Sequence, residues 1–160
     1  MRSPVLELSD RPSPGPVRSF MDRLIRAFGF ESALVVIPFV LDTGGVTVTN
    51  AGTGAGTALA TTRTVVDLED AGLDHVRVVV YGANSAAGSV TVTVYDVTNS
   101  VQLASVTVTD ATPAVFTGSW TAVTDVGGDR TLEVRVIGDG AFDPVLYTCA
   151  LQGRTVQARH

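Results

Sequence analysis

With 160 residues, 45% of them hydrophobic and 17% charged, the chain is long enough for one well-buried core and too short for two ordinary domains. A formal net charge of −5 argues against a general nucleic-acid binder, whose affinity rests on neutralising phosphates. The single cysteine, Cys149, excludes an intramolecular disulfide and a multi-cysteine zinc site, and its setting in LYTCALQ reads as a small buried hydrophobe.

Residues 1–16 contain Pro4, Pro12, Pro14 and Pro16 with little apolar content, which predicts an extended arm with no core of its own. The polar, proline-broken start MRSPVLELSDRPSPGP does not read as a signal peptide. In the following PVRSFMDRLIRAFG, Val17, Phe20, Met21, Leu24, Ile25 and Phe28 recur at steps of three and four. They form one helical stripe, with Arg18, Asp22, Arg23 and Arg26 toward the other side. Pro16 suits a first helical turn and Gly29 a left-handed end. A lone amphipathic helix of this length is marginal, so its stripe is expected to pack on protein; no second anchor favours a membrane. Before residue 27, Arg2, Arg11, Arg18, Arg23 and Arg26 outnumber Glu7, Asp10 and Asp22, so a basic start precedes an acidic remainder. That asymmetry suits docking on an acidic surface, although the charges alone fit a solvated helix face equally well.

From Glu31 onward the apolar period becomes two. The expected strands are Ala33–Leu41, Val46–Thr49, Thr57–Asp67, His75–Tyr81, Ser89–Asp96, Gln102–Thr109, Val115–Thr121, Thr131–Ile137 and Val145–Val156. VTVTVYDV and ASVTVTD alternate as half-buried strands do, and GANSAAG, DVTNS, DATPA, DVGGD and GDGAFDP supply turns. The run ALVVIPFVL is about half the ~20 residues a membrane-spanning helix needs. Short strands recurring at this spacing predict an all-β protein. Residues 31–160 are expected to be an antiparallel β-sandwich, a jelly roll of about eight strands, and residues 1–30 the extended arm and one short amphipathic helix.

Chemistry-bearing motifs are sparse. The stretch VTVTNAGTGAGTALA has glycines at 52, 54 and 56, but a dinucleotide fingerprint needs glycine at position 57, which is Thr57. No Gly-Lys-Ser/Thr ending marks a phosphate loop, and TALATTRTVVDL reads as strand where an anion-binding helix should begin. The only histidines are His75 and His160, whereas acid–base or triad catalysis usually places a histidine at its centre. Asp67, Glu69, Asp70 and Asp74, and separately Asp139 with Asp143, offer oxygen ligands of the kind calcium takes. They lack EF-hand spacing, and acids are ordinary turn residues, so no metal or cofactor is assigned. Trp120 in TGSWTAV is either an exposed platform for a sugar ring or part of the core or a sheet edge; Tyr81, Tyr95 and Tyr147 lie within strand patterns.

The segments VDLEDAGLDHVRVVV, GSWTAV and LEVRVIGDGAFDPVLYTCALQGR, spanning about Asp67 to Arg154, carry a resemblance. A strand after an Asp-Leu step, a Gly-x-Trp strand, a strand ending in a Gly-rich loop, Asp143-Pro144 and a last strand closing on Arg154 resemble a β-sandwich module of tailed-bacteriophage virion proteins. The resemblance implies a non-enzymatic structural role, with no catalytic residues to carry over. The expected protein is a capsid decoration or cement protein, soluble before assembly and then located on the virion surface. Its expected partners are the major capsid protein or other virion subunits and further copies of itself, for which a trimer is suitable; nucleic acid and membrane are not expected. The expected partner-binding residues are Val17, Arg18, Phe20, Met21, Arg23, Leu24, Ile25, Arg26 and Phe28. Two competing expectations are a carbohydrate-binding β-sandwich and a phage tail or fibre component.

Overall fold

The computed structural model describes residues 34–49, 51–86, 88–123 and 127–155. The expected arm and helix, and with them Val17, Arg18, Phe20, Met21, Arg23, Leu24, Ile25, Arg26 and Phe28, lie outside the described residues. Among those described, every regular element is a strand, ten in all: β1 (Leu34–Phe39), β2 (Val46–Thr47), β3 (Thr57–Asp67), β4 (His75–Ala83), β5 (Val90–Asp96), β6 (Val101–Val108), β7 (Ala114–Thr117), β8 (Thr121–Ala122), β9 (Asp129–Ile137) and β10 (Val145–Arg154).

Two antiparallel sheets form a sandwich. The six-stranded sheet runs β1-β10-β4-β7, with β2 paired to β10 and β8 to β4, and the four-stranded sheet runs β3-β9-β5-β6. The chain pairs its ends with each other and then works inward: β1 with β10, β3 with β9, β4 with β7 and β5 with β6. Each step inward changes sheets, as in one long hairpin folded over on itself.

The core follows from the alternation seen in sequence. Val76, Val78 and Val80 of β4, Val90, Val92 and Val94 of β5, and Leu132, Val134 and Val136 of β9 are buried, while intervening residues point outward. From β10, Leu146, Cys149 and Leu151 join them; the odd spacing marks a bulge at Tyr147, where register shifts between Leu146 and Thr148. Burial pushes the Cys149 thiol up to about 12, in keeping with a core residue.

One expected strand is broken. Val115–Thr121 divides into β7 and β8 around Gly118, whose N–H donates to the Val78 carbonyl at 2.8 Å. A Cβ at Gly118 would collide with the Ser105 carbonyl oxygen of β6, so this position brings the edges of the two sheets together at a distance only glycine allows.

The Gly-rich stretch is a connection between β2 and β3. Gly52 N–H donates to Thr57 Oγ1 at 3.0 Å, and the Ala51 and Gly52 carbonyls accept from Gly140 and Gly138. Gly56, at φ +78°, lies against the Val136 carbonyl, where a side chain would not fit. Hydrogen bonds thus tie this loop to the one after β9, and none of its glycines opens a helix.

Candidate functional site

The two outer faces of the sandwich differ in chemistry. On the four-stranded sheet, β9 carries Thr131, Glu133 and Arg135 outward, with Glu133 opposite Tyr95 and Arg135 opposite Thr93 of β5. Glu133 is 0% exposed on this face because two arginines cover it. Arg63 Nε lies 2.8 Å from Oε2, and Arg135 reaches Oε1 through Nε at 2.7 Å and a second guanidinium nitrogen at 2.6 Å. Burial pushes the Glu133 pKa up, but hydrogen bonds from Arg63 and Arg135, with their charges, outweigh it and hold the carboxyl below its ordinary value. The Arg135 guanidinium also stacks on Tyr95, 3.5 Å from the ring centroid. Both arginines bond the one carboxylate, so its charge is fully compensated while the cluster keeps a net positive charge.

The outer face of the six-stranded sheet carries several large apolar side chains, with polar ones toward one end. Because Val35, Ile37 and Phe39 turn inward, Leu34, Val36 and Pro38 of β1 turn outward. Strand register carries this surface across the sheet: Pro38 lies opposite Ala150, Ala150 opposite Val79, and Tyr81 opposite both Thr148 and Val115. The β10 bulge turns Tyr147 onto the same side, and its ring centroid lies 5.4 Å from that of Tyr81. Leu34 is 56% exposed, Val36 51%, Val115 66%, Tyr81 40% and Tyr147 36%. Large exposed hydrophobics scattered singly are ordinary; here five of them share one outer face, on four strands.

At one end of this face stands the tryptophan singled out in sequence. Trp120 is half-buried, and the Arg77 and Arg154 guanidinium carbons each lie 4.5 Å from the centroid of its ring. It is therefore neither a core residue nor a bare platform for a sugar ring. Sequence reasoning passed over Arg77 and Arg154, because only the β4–β10 register brings them together: Gln152 lies opposite Arg77, and His75 opposite Arg154.

The other candidates do not converge. Asp67 Oδ1 accepts the Glu69 and Asp70 N–H groups at 3.0 Å, and Asp74 Oδ1 lies 2.9 Å from His75 Nδ1. Asp139 Oδ1 accepts from Ala141 N–H, and Asp143 N–H donates to Ser85 Oγ. Among the described residues no three His, Cys, Asp or Glu side chains come together as metal ligands. A cleft of about 240 Å³ lies between Asn99–Leu103 and Thr121–Val123, and a shallow polar trough of about 450 Å³ separates the β6 and β7 edges. Among the described residues no helix is long and apolar enough to cross a membrane.

No family model matches the sequence, and no curated protein matches it. Among solved structures, the chain is similar to the carbohydrate-binding module CBM36 in complex with calcium and xylotriose, at 18% identity and a TM-score of 0.45, covering 76% of this chain and 99% of that one. It is also similar to the globular domain of zebrafish complement 1qA, at 13% identity and a TM-score of 0.39, covering 81% and 100%. A third likeness is to a disulfide-linked pilus protein of Bacillus endospore appendages, at 16% identity and a TM-score of 0.32, covering 79% and 88%. At these values none of the three says what this chain binds, and none is a bacteriophage virion protein.

Proposed function

We propose that the chain is a non-enzymatic docking protein, of the capsid decoration or cement type, which binds the outer shell of a bacteriophage-like particle. The observation that carries this reading is the difference between the two sheet faces. Among the described residues the four-stranded sheet turns out the single large aliphatic Val65 beside the Arg63–Glu133–Arg135 cluster, whereas the six-stranded sheet turns out Leu34, Val36, Tyr81, Tyr147 and Val115. Covering that second face removes apolar surface from water at roughly 25 cal/mol per Å², before ordering costs are subtracted. The amphipathic stripe Val17, Phe20, Met21, Leu24, Ile25 and Phe28, flanked by Arg18, Arg23 and Arg26, supplies a second contact on the same particle or on neighbouring copies. The nested strand pairing supports reading the sandwich as a jelly roll, since that architecture is a folded hairpin of eight strands in two layers.

Co-sedimentation with intact particles tests the proposal. Wild-type chain should bind saturably, and the double variant Val36→Asp/Val115→Asp, altered only at exposed positions, should bind at least about tenfold more weakly. Equal binding by both would sink the reading. The Tyr81–Tyr147 pair favours a second reading, a carbohydrate-binding module, because exposed rings stack on sugars. A reproducible hit on a glycan array, lost on Tyr81→Ala, would shift the assignment there.

A further inference from the structure

We infer that Arg77, Arg154 and Trp120 form a seat for a carboxylate, presented by an acidic segment of the protein on which the six-stranded sheet docks. This rests on the docking reading above and names the chemistry of its partner.

Three observations lead to it. First, neither guanidinium is neutralised: among the described residues no carboxylate oxygen lies within 4.0 Å of Arg77 or Arg154, although the chain as a whole carries a net charge of −5. The nearest acid in sequence, Asp74, is instead engaged by His75 at 2.9 Å. Second, among the described residues both cations are held in place by uncharged groups. Trp120 lies against each, and Arg77 Nε donates to Gln152 Oε1 at 2.8 Å, which fixes that guanidinium by a neutral partner and leaves its terminal nitrogens available. A pre-oriented planar fork is the geometry that takes a carboxylate in a bidentate manner, and little side-chain entropy remains to be lost. Third, Arg154 Nε is buried without a hydrogen-bond partner among the described residues, so it lies out of an incoming group's reach and a carboxylate would meet this guanidinium at its terminal nitrogens.

The surroundings select the bearer of the carboxylate. Leu34 lies opposite Arg154 and Val36 opposite Gln152 in the strand register, so exposed aliphatic side chains border the two cations. An acidic residue followed by apolar ones in an extended polypeptide matches that order, whereas a polyhydroxylated sugar acid would cover Leu34 and Val36 with hydroxyl groups.

The single tryptophan makes the test direct, because the emission of the folded full-length chain reports on Trp120 alone. Titration with hexaglutamate at low ionic strength should change that emission saturably. A neutral Gly-Ser hexapeptide should leave it unchanged. Raising ionic strength from about 0.02 to about 0.15 M should weaken the hexaglutamate response severalfold. The double variant Arg77→Gln/Arg154→Gln, checked for folding by circular dichroism, should lose affinity by about tenfold or more. Overturning results are no saturable response, an equal response to the neutral peptide, or a response unaltered in the double variant. Tighter binding of a heparin hexasaccharide than of hexaglutamate would also overturn it, by assigning the seat to an anionic sugar. The salt and sugar arms use the native chain and decide the matter even if the variant misfolds. Lost particle binding with retained hexaglutamate binding would discard the docking reading alone.

Discussion

Replacing Thr62 with Val perturbs the least regular part of the four-stranded sheet. Between the pairs Leu59–Val134 and Thr64–Leu132, residues 60–63 of β3 face the single residue Glu133 of β9, so the backbone ladder is open there. The Thr62 hydroxyl closes it, accepting from Val134 N–H at 2.9 Å and donating to the Leu59 carbonyl at 2.6 Å. Thr62 is 2% exposed, so water has little access to replace it. Valine keeps the shape and removes both bonds. An orphaned buried donor costs about 1–3 kcal/mol, and the carbonyl, which has a second lone pair, loses less. Burying the added methyl offsets about 0.8 kcal/mol. The net loss should therefore be about 1–3 kcal/mol, whereas Thr62→Ser, which keeps the hydroxyl and removes one methyl, should cost about 1 kcal/mol. Urea unfolding of the full chain, followed by Trp120 emission, measures both as shifts of midpoint at unchanged slope. A Thr62→Val chain as stable as wild type, or more stable than Thr62→Ser, refutes the assignment of the hydroxyl as a ladder partner.

Three further outcomes are expected. Because the folded pKa of Glu133 lies below the ordinary value of 4.5, its contribution is fully present above that value and is lost as pH falls through the folded pKa. Urea midpoints between about pH 7 and 3 should thus fall more steeply for wild type than for Glu133→Gln, and parallel curves would contradict this. Asp96, fully buried, accepts from Asn99 N–H and Nδ2 and lies 3.0 Å from an Arg130 terminal nitrogen. Asp96→Ala removes the acceptor of the Asn99 N–H, Asn99 Nδ2 and Arg130 hydrogen bonds and should cost about 2–3 kcal/mol or more in the same assay; a loss below about 1 kcal/mol would contradict it. Cys149, buried with its pKa pushed up to about 12, should react with a thiol reagent at pH 8 only when denaturant opens the core. Native labelling at the rate of free cysteine would show the assignment to be wrong.

The strands were legible where apolar and polar residues alternate. Val90, Val92 and Val94 are separated by threonines, and the core face of β5 could be read directly. Thr57–Asp67 was legible at both ends, because the Gly-rich loop precedes it and an Asp-initiated turn follows. What could not be read depends on contacts distant in sequence. The break at Gly118 arises from the approach of Ser105, and an isolated glycine does not announce which backbone will come near it. Arg63 and Glu133 are 70 positions apart, so a buried carboxylate on an outer face looks in sequence like any charged strand residue. The exposed apolar side chains of β1 were hidden for a related reason. Leu34 and Val36 alternate with the equally apolar Val35 and Ile37, and periodicity alone cannot tell an inward face from an outward one when both are hydrophobic.

Hydroxyl-radical footprinting of the particle-bound chain tests the central claim most directly, because both faces carry reactive side chains and are read in one experiment. The account predicts that Tyr81, Tyr147, Leu34 and Val36 become protected on binding, while Val65 and Tyr95 on the four-stranded sheet stay as reactive as in the free chain. Protection of Val65 and Tyr95 with Tyr81 and Tyr147 still open would contradict it.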